Sequence, residues 1–581
     1  MSDKIPPSLS SITRLRWQWV VLAAGLLMII GAGVFLLFNG ESPEAEEPAP
    51  EVRPVDFIET QVYSEAVVGE PLLVNPLLAT SQADRDLVSL VFSGLTRLDE
   101  FGLPIPDLAE GWRVSSDGLV YTFHLREGVT WHDGEPFTAD DVAFTMSVLR
   151  DPAFPGPADL GAFWRSVETY ADDDFTVRFV LAQPLAAFPE YAGIGILPAH
   201  LLAGVSPADI AADSFNLSPT GTGRMKWASL EESNDATVVS LKPYEAFYDR
   251  TRRVTLEAME LRFYESGSRA FRELGADALA MGGLTPSQLN AALGSTGLNI
   301  YTARQPVYGA VIFNFQAKER LPFFQEENVR RALVMGLDRE SIVNDNFGRS
   351  AAVADSPILA GTWAYNPDLE PVDFDPLKAM QLLDESGWVT EGGIRTREGQ
   401  TISFTLLIGD SAADEALGQA VVEQWRALGV DVKIESLSPT ELVERLSMTT
   451  GEESRDFDAA LVEFSQGRLA DPDPYPFWHQ SQIEEGQNYS GLADRFISEA
   501  LEIARKDPNG VRRLELYRSF QQRFVDQSYA VVLYNPLYHF TASCQVVGIQ
   551  VMIFVDPSDR YRNLHEWRIA SPAEHDRVCP S

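Results

Sequence analysis

The stretch LVFSGLTRLDEFGLPIPDLAEGWRVSSDGLVYTFHLREGVTWHDGEPFTADDVAFTMSVLRDP, Leu90 to Pro152, decides how the chain is read. Within it Tyr121, Phe123 and Leu125 alternate with Thr122, His124 and Arg126, the period of a strand with one buried face. The turn HDGEP follows. In PFTADDVAFTMSVLR, Thr138 is placed to cap a helix and Asp141 stands at the reciprocal capping-box position, with Val142, Met146 and Leu149 on one face.

The same grammar extends outward. DFDPLKAMQLLDESGW supplies Asp375 as cap, Pro376 at the first helical position, a stripe of Ala379, Leu382 and Leu383, and Gly387 as terminator. Strands are expected at YGAVIFNF (308–315), TISFTLLIG (401–409), FDAALVEF (457–464) and YAVVLYNPLYHF (529–540), with helices between them. That alternation favours mixed α/β lobes over an all-β sandwich, and no repeat period points to a solenoid or propeller. A chain of 581 residues, 45% apolar, is expected to fold as more than one domain.

A formal net charge of -38 argues against a nucleic-acid partner, because phosphates are held by clustered Lys and Arg. The histidines form no HExxH pattern, and TGTGRMKW (220–227) lacks the Lys-Ser/Thr of a phosphate loop, so it reads as a tight turn into a strand. Ser93 has a glycine on its C-terminal side only, too little for a nucleophile elbow. His132 and Asp133 are neighbours in a turn and point apart. No enzyme, metal or cofactor is therefore expected.

From Trp17 to Phe38 the chain carries no charge and is long enough to cross a bilayer as one transmembrane helix. Lys4, Arg14 and Arg16 precede it and Glu41, Glu44, Glu46 and Glu47 follow, which places 1–16 in the cytoplasm and the bulk of the chain outside. A cleaved signal peptide is the competing reading. Residues 39–56, Pro- and Glu-rich, read as a linker. Cys544 and Cys579 are the only cysteines; outside the cell they form a bridge, and the alternative is two separate thiols.

ADPDPYPFWHQ (470–480) sets Asp471 and Asp473 one proline apart. They read either as ligand-facing carboxylates or as caps of a stiff turn, with Phe477 and Trp478 in the core; a catalytic acid pair is a third reading.

Taken in order, the opening stretch, SPTGTGRMKW, VIFNFQAKERLPFFQEENVRRALVMGLDRESIV, DFDPLKAMQLLDESGW and ADPDPYPFWHQ with GQNYSGLADRFI resemble the extracellular solute-binding proteins of the peptide/nickel class of ABC importers (family 5), over roughly residues 57–567. The resemblance implies a two-lobed, periplasmic-binding-protein-like clamshell of type II: lobe I from 57–93, 199–307 and 531–581, an extra subdomain at 94–198, and lobe II at 308–530. GAVIFNF and AVVLYNP would be the hinge crossings. Asp471, with Asp473 as alternative, would meet the amino terminus of a bound peptide. Phe464 stands where many members carry tryptophan, and Arg468 in the following insert is placed for an anionic group or as an exposed loop residue. The implied protein is a monomer that delivers peptides to an ABC permease with its ATPase subunits. A non-peptide solute (nickel chelate, haem, opine, oligosaccharide) and a sensor without a transporter are the alternatives.

Overall fold

The computed structural model describes residues 60–579 apart from 234, 448–454 and 552. The expected membrane span 17–38, with the segments 1–16 and 39–56 beside it, lies outside the described residues; among those described, no helix is long and apolar enough to cross a membrane.

Two main apolar cores divide the chain. One gathers residues from 63 to 303 and again from 538 to 569; the other gathers residues from 308 to 534. Only two short stretches, 304–307 and 535–537, pass between them. The segment 94–198 adds its own antiparallel sheet, in the order Ala109–Val114, Val120–Leu125, Thr176–Leu181, Val167–Asp173, and packs into the first core.

One strand serves both lobes. The first part of the 14-residue strand Ala530–Ser543 pairs with Val307–Phe313, which pairs in turn with Ala459–Ser465. Its far part pairs with Leu298–Arg304 and Ala280–Gly282. Residues 531–534 therefore pack in the second lobe, four residues beyond the expected boundary, because their ladder partner is there. Each crossing carries a proline, Pro306 and Pro536, which has no N–H to give to a ladder. The fully buried Asn535 bridges the gap: its Nδ2 donates to the carbonyls of Gln305 and Val307, both at 2.7 Å, and its Oδ1 accepts from Arg304 at 3.3 Å. This amide joins the two crossings, beside a backbone bond from the Gln305 N–H to the Pro536 carbonyl at 2.9 Å.

The local expectations reappear with physical detail. The strand Val120–Leu125 buries Tyr121, Phe123 and Leu125 and leads to the helix Ala139–Arg150, whose capping box joins Thr138 and Asp141. The helix Pro376–Glu385 starts at Asp375, whose side chain accepts the Lys378 N–H at 2.9 Å, and is followed by Gly387 at φ +85°. Strands form at Ser403–Gly409 and Ala459–Ser465, within two residues of expectation.

The turn before the strand Met225–Glu232 needs its glycines: a Cβ on Gly221 would lie 1.9 Å from the Val91 carbonyl oxygen. His132 braces this turn, accepting the Gly221 N–H on Nδ1 at 3.2 Å and donating from Nε2 to the Gly223 carbonyl at 2.9 Å. Burial lowers its pKa to about 4, so it braces as a neutral ring. Asp133 turns away and pairs with His200 at 2.8 Å. Cys544 and Cys579 are disulfide-bonded, tying the C-terminal tail to the end of the long strand.

Candidate functional site

The site grows from the loop after the strand Ala459–Ser465. Gln466 donates its N–H to the Pro306 carbonyl at 2.8 Å, so the loop begins on the hinge itself. Gly467, at φ +71°, takes the left-handed turn that aims the next residue outward.

Arg468 follows, with 62% of its side chain exposed. Its guanidinium lies 3.4 Å from Asp556 of the first lobe. Asp556 is also held by Arg85 at 2.9 Å and accepts the N–H and hydroxyl of Ser558 at 3.0 and 2.7 Å. The carboxyl of Asp556 is pushed up by burial, and the flanking arginines with the Ser558 hydrogen bonds outweigh that, holding it below the ordinary range. Arg85 is occupied by the Thr80 carbonyl and Gln82 as well, whereas Arg468 keeps donors facing solvent.

Asp471 lies deeper, 3% exposed, and forms an ion pair with Arg513 of the helix Gly510–Asp526. Tyr517 adds a hydrogen bond at 3.3 Å, and Arg513 donates to the Ala504 carbonyl at 2.8 Å while resting over the Trp363 ring at 5.0 Å. The Asp471 carboxylate is thus compensated from inside its own lobe. Asp473 lies 3.4 Å from Arg505 and caps the Tyr475 N–H at 3.1 Å. Burial raises its pKa, with Arg505 opposing. Asp473 thus caps an amide of its own turn, while Asp471 is held by an arginine 42 residues downstream.

Phe464 is 3% exposed and stacks on Tyr308 with ring centres 5.1 Å apart. Phe477 and Trp478 pack on it, and the Trp478 ring N–H donates to the Tyr308 hydroxyl at 3.0 Å. These three aromatics form a wall of the second core behind the loop. Of the four residues expected at the site, Arg468 alone presents its charge to solvent.

Sequence reading missed Glu190, on the short helix Phe188–Tyr191 of the N-terminal subdomain. Its Oε2 accepts the N–H groups of Ala470 and Asp471 at 2.9 and 3.1 Å, across some 280 residues of chain. Burial first, and the Asp471 charge second, raise its pKa to about 8. A lone glutamate in PLAAFPEY carries no local signal of this contact. Among the described residues, no group of three or more His, Cys, Asp or Glu is placed to hold a metal ion.

Two α/β lobes joined by paired crossings, with charged side chains from both meeting beside the hinge, define a two-lobed protein of the periplasmic-binding-protein class. Comparison with known proteins gives the family. Residues 104–486 match bacterial extracellular solute-binding proteins, family 5, middle region, and the chain belongs to that family. It is similar to the oligopeptide-binding protein AppA of Bacillus subtilis (strain 168), 28% identical over 519 residues, covering 87% of this chain and 90% of that one. The structure of that AppA with a nonapeptide aligns with a TM-score of 0.60 at 27% identity, over 88% of this chain and 100% of that chain. NikZ from Campylobacter jejuni, in complex with Ni(L-His), aligns with a TM-score of 0.61 at 26% identity over the same shares.

Proposed function

We propose that the chain captures a peptide between its lobes outside the cell, works as a monomer, and hands its load to an ABC permease driven by separate ATPase subunits, held at the membrane by residues 17–38. The observation that carries this reading is the similarity along 87% of the chain to an oligopeptide-binding protein, with the hinge crossings and the loop 466–473 meeting at one place. A ligand that prefers one arrangement of the lobes shifts their equilibrium by its differential affinity.

Within this reading Arg468 takes the charged end of the solute. Asp471, given by resemblance to a peptide amino terminus, already has Arg513 as counter-charge, and Arg468 is the loop residue with donors to spare. A carboxylate is the matching group. The same arginine is compatible with a second reading, a metal chelate whose carboxylate it would meet, and the similarity to the NikZ structure with Ni(L-His) supports it.

Native mass spectrometry of the freshly purified full chain separates the two. A ladder of short peptides released on denaturation establishes the first reading, and a single non-peptide mass establishes the second. Arg468→Ala is expected to weaken binding of the identified solute about tenfold while changing the stability to urea by no more than about 1 kcal/mol, since its guanidinium is largely in water and Arg85 stays on Asp556. Full affinity in that variant removes Arg468 from the site.

A further inference from the structure

Glu190 is a carboxylate set between two bodies of the protein, and among the described residues no Lys, Arg or His forms an ion pair with it. The elements packed around it present Asp471 and Asp473 from the loop, Arg513 and Tyr517 from the helix Gly510–Asp526, Arg505 from the helix Arg495–Lys506, and Tyr191 beside it. Arg513 is committed to Asp471 and Arg505 lies beside Asp473, so the charge that acts most on Glu190 is the like charge of Asp471, ahead of Arg513. What binds Glu190 in place is a pair of consecutive backbone N–H groups, Ala470 and Asp471, immediately downstream of Arg468. The neighbouring Ala186 N–H adds a second tie across the same boundary, to the Arg505 carbonyl at 2.9 Å.

We infer that Glu190 is a proton-linked strut by which the N-terminal subdomain holds the Arg468 loop, firm when its carboxyl carries a proton and loosened, when it does not, by the cost of a charge withdrawn from water and secondly by repulsion from Asp471. A protonated carboxyl still accepts both N–H bonds on its carbonyl oxygen, and it feels neither the repulsion nor the cost of a buried charge. Separated from the loop and hydrated, Glu190 returns toward the ordinary carboxylate range. In contact its pKa is raised to about 8, so the contact takes up a proton. The sign follows: the contact is strongest at acid pH, weakens as pH rises from the ordinary glutamate range, and levels off above about 8. The consequence for solute binding rests on the function proposed above; the strut itself does not.

Glu190 is a positioning residue, so its test reads the loop. Amide hydrogen exchange on the full chain, corrected for the intrinsic pH dependence of exchange, follows the Ala470 and Asp471 N–H groups from about pH 6 to about pH 9. Protection is expected to fall about tenfold or more in the wild-type chain over that range. It is expected to stay high and flat in Glu190→Gln, which keeps the acceptor oxygen without the charge, and to be low throughout in Glu190→Ala. Flat protection in the wild-type chain, or a Glu190→Gln variant that follows the wild-type fall, overturns the inference. Calorimetry with a pool of di- to nonapeptides over the same range adds the second arm: affinity should drift with pH in the wild-type chain and not in Glu190→Gln. A wild-type chain that binds none of the pool defeats the peptide reading, while the exchange result still decides the strut.

Discussion

Arg513 closes an ion pair on Asp471 inside the second lobe, with 9% of the arginine side chain and 2% of the aspartate side chain exposed. The pair turns the DPDP stretch into a brace between the hinge loop and the helix Gly510–Asp526. Asp471→Asn strands a buried guanidinium, and the expected loss of stability is about 3–5 kcal/mol in urea unfolding. An unchanged midpoint with weakened solute binding would instead return Asp471 to the ligand, as the family resemblance implies.

Asn535, on one lobe crossing, reaches the other through the Gln305 and Val307 carbonyls. Asn535→Leu leaves those carbonyls without their side-chain donor and leaves the Gln305 N–H to Pro536 carbonyl bond between the crossings, at a cost of about 2–4 kcal/mol. Unfolding followed by probes in each lobe is expected to split into two transitions. A single transition at the wild-type midpoint would show that the sheet alone couples the lobes.

Glu463 sits on the central strand of the second lobe and accepts the Tyr534 hydroxyl at 2.9 Å. Burial raises its pKa to about 7, against an ordinary value of 4.5. A raised carboxylate pKa means that the folded state holds the proton more tightly, so this group's contribution is present in acid and is lost as pH rises toward 7. Glu463→Gln should therefore gain on the wild-type chain as pH rises from about 5 to about 8. A constant difference in melting temperature between the two chains would show that Glu463 does not titrate there.

The Cys544–Cys579 bridge closes a loop of sequence separation 35, for which chain entropy gives about 4 kcal/mol. The tail has a second anchor, because Arg560 lies buried between Glu65 and Asp86. Reduction is accordingly expected to lower the unfolding midpoint while the tail stays docked, so that the near-ultraviolet dichroism of the reduced native protein is unchanged. Loss of that signal on reduction would show that the bridge, and not Arg560, holds the tail.

Much of the fold could be read residue by residue. The capping box of Thr138 and Asp141, the stop at Gly387, and the strands around Val307–Phe313 and Ala459–Ser465 follow from periodicities and end signals only a few residues long. The order of several such motifs was enough to point to the family. The site was less legible. Arg468 could be picked out as a loop cation, but the partner of Asp471 comes from 42 residues downstream and the acceptor for its N–H from 281 residues upstream.

The sequence by itself determined the elements and their order, because burial with a period of two or between three and four residues is written locally, and the two-lobed class followed from the resemblance of its ordered motifs to a family. Only the tertiary structure decided which charges are spent and which are free. Asp471 and Arg468 stand three residues apart in one loop, yet the first is buried against Arg513 and the second faces solvent beside Asp556. The physical reason is that a side chain's charge is compensated by whatever the other elements bring within a few ångströms, and that is a property of packing between distant segments.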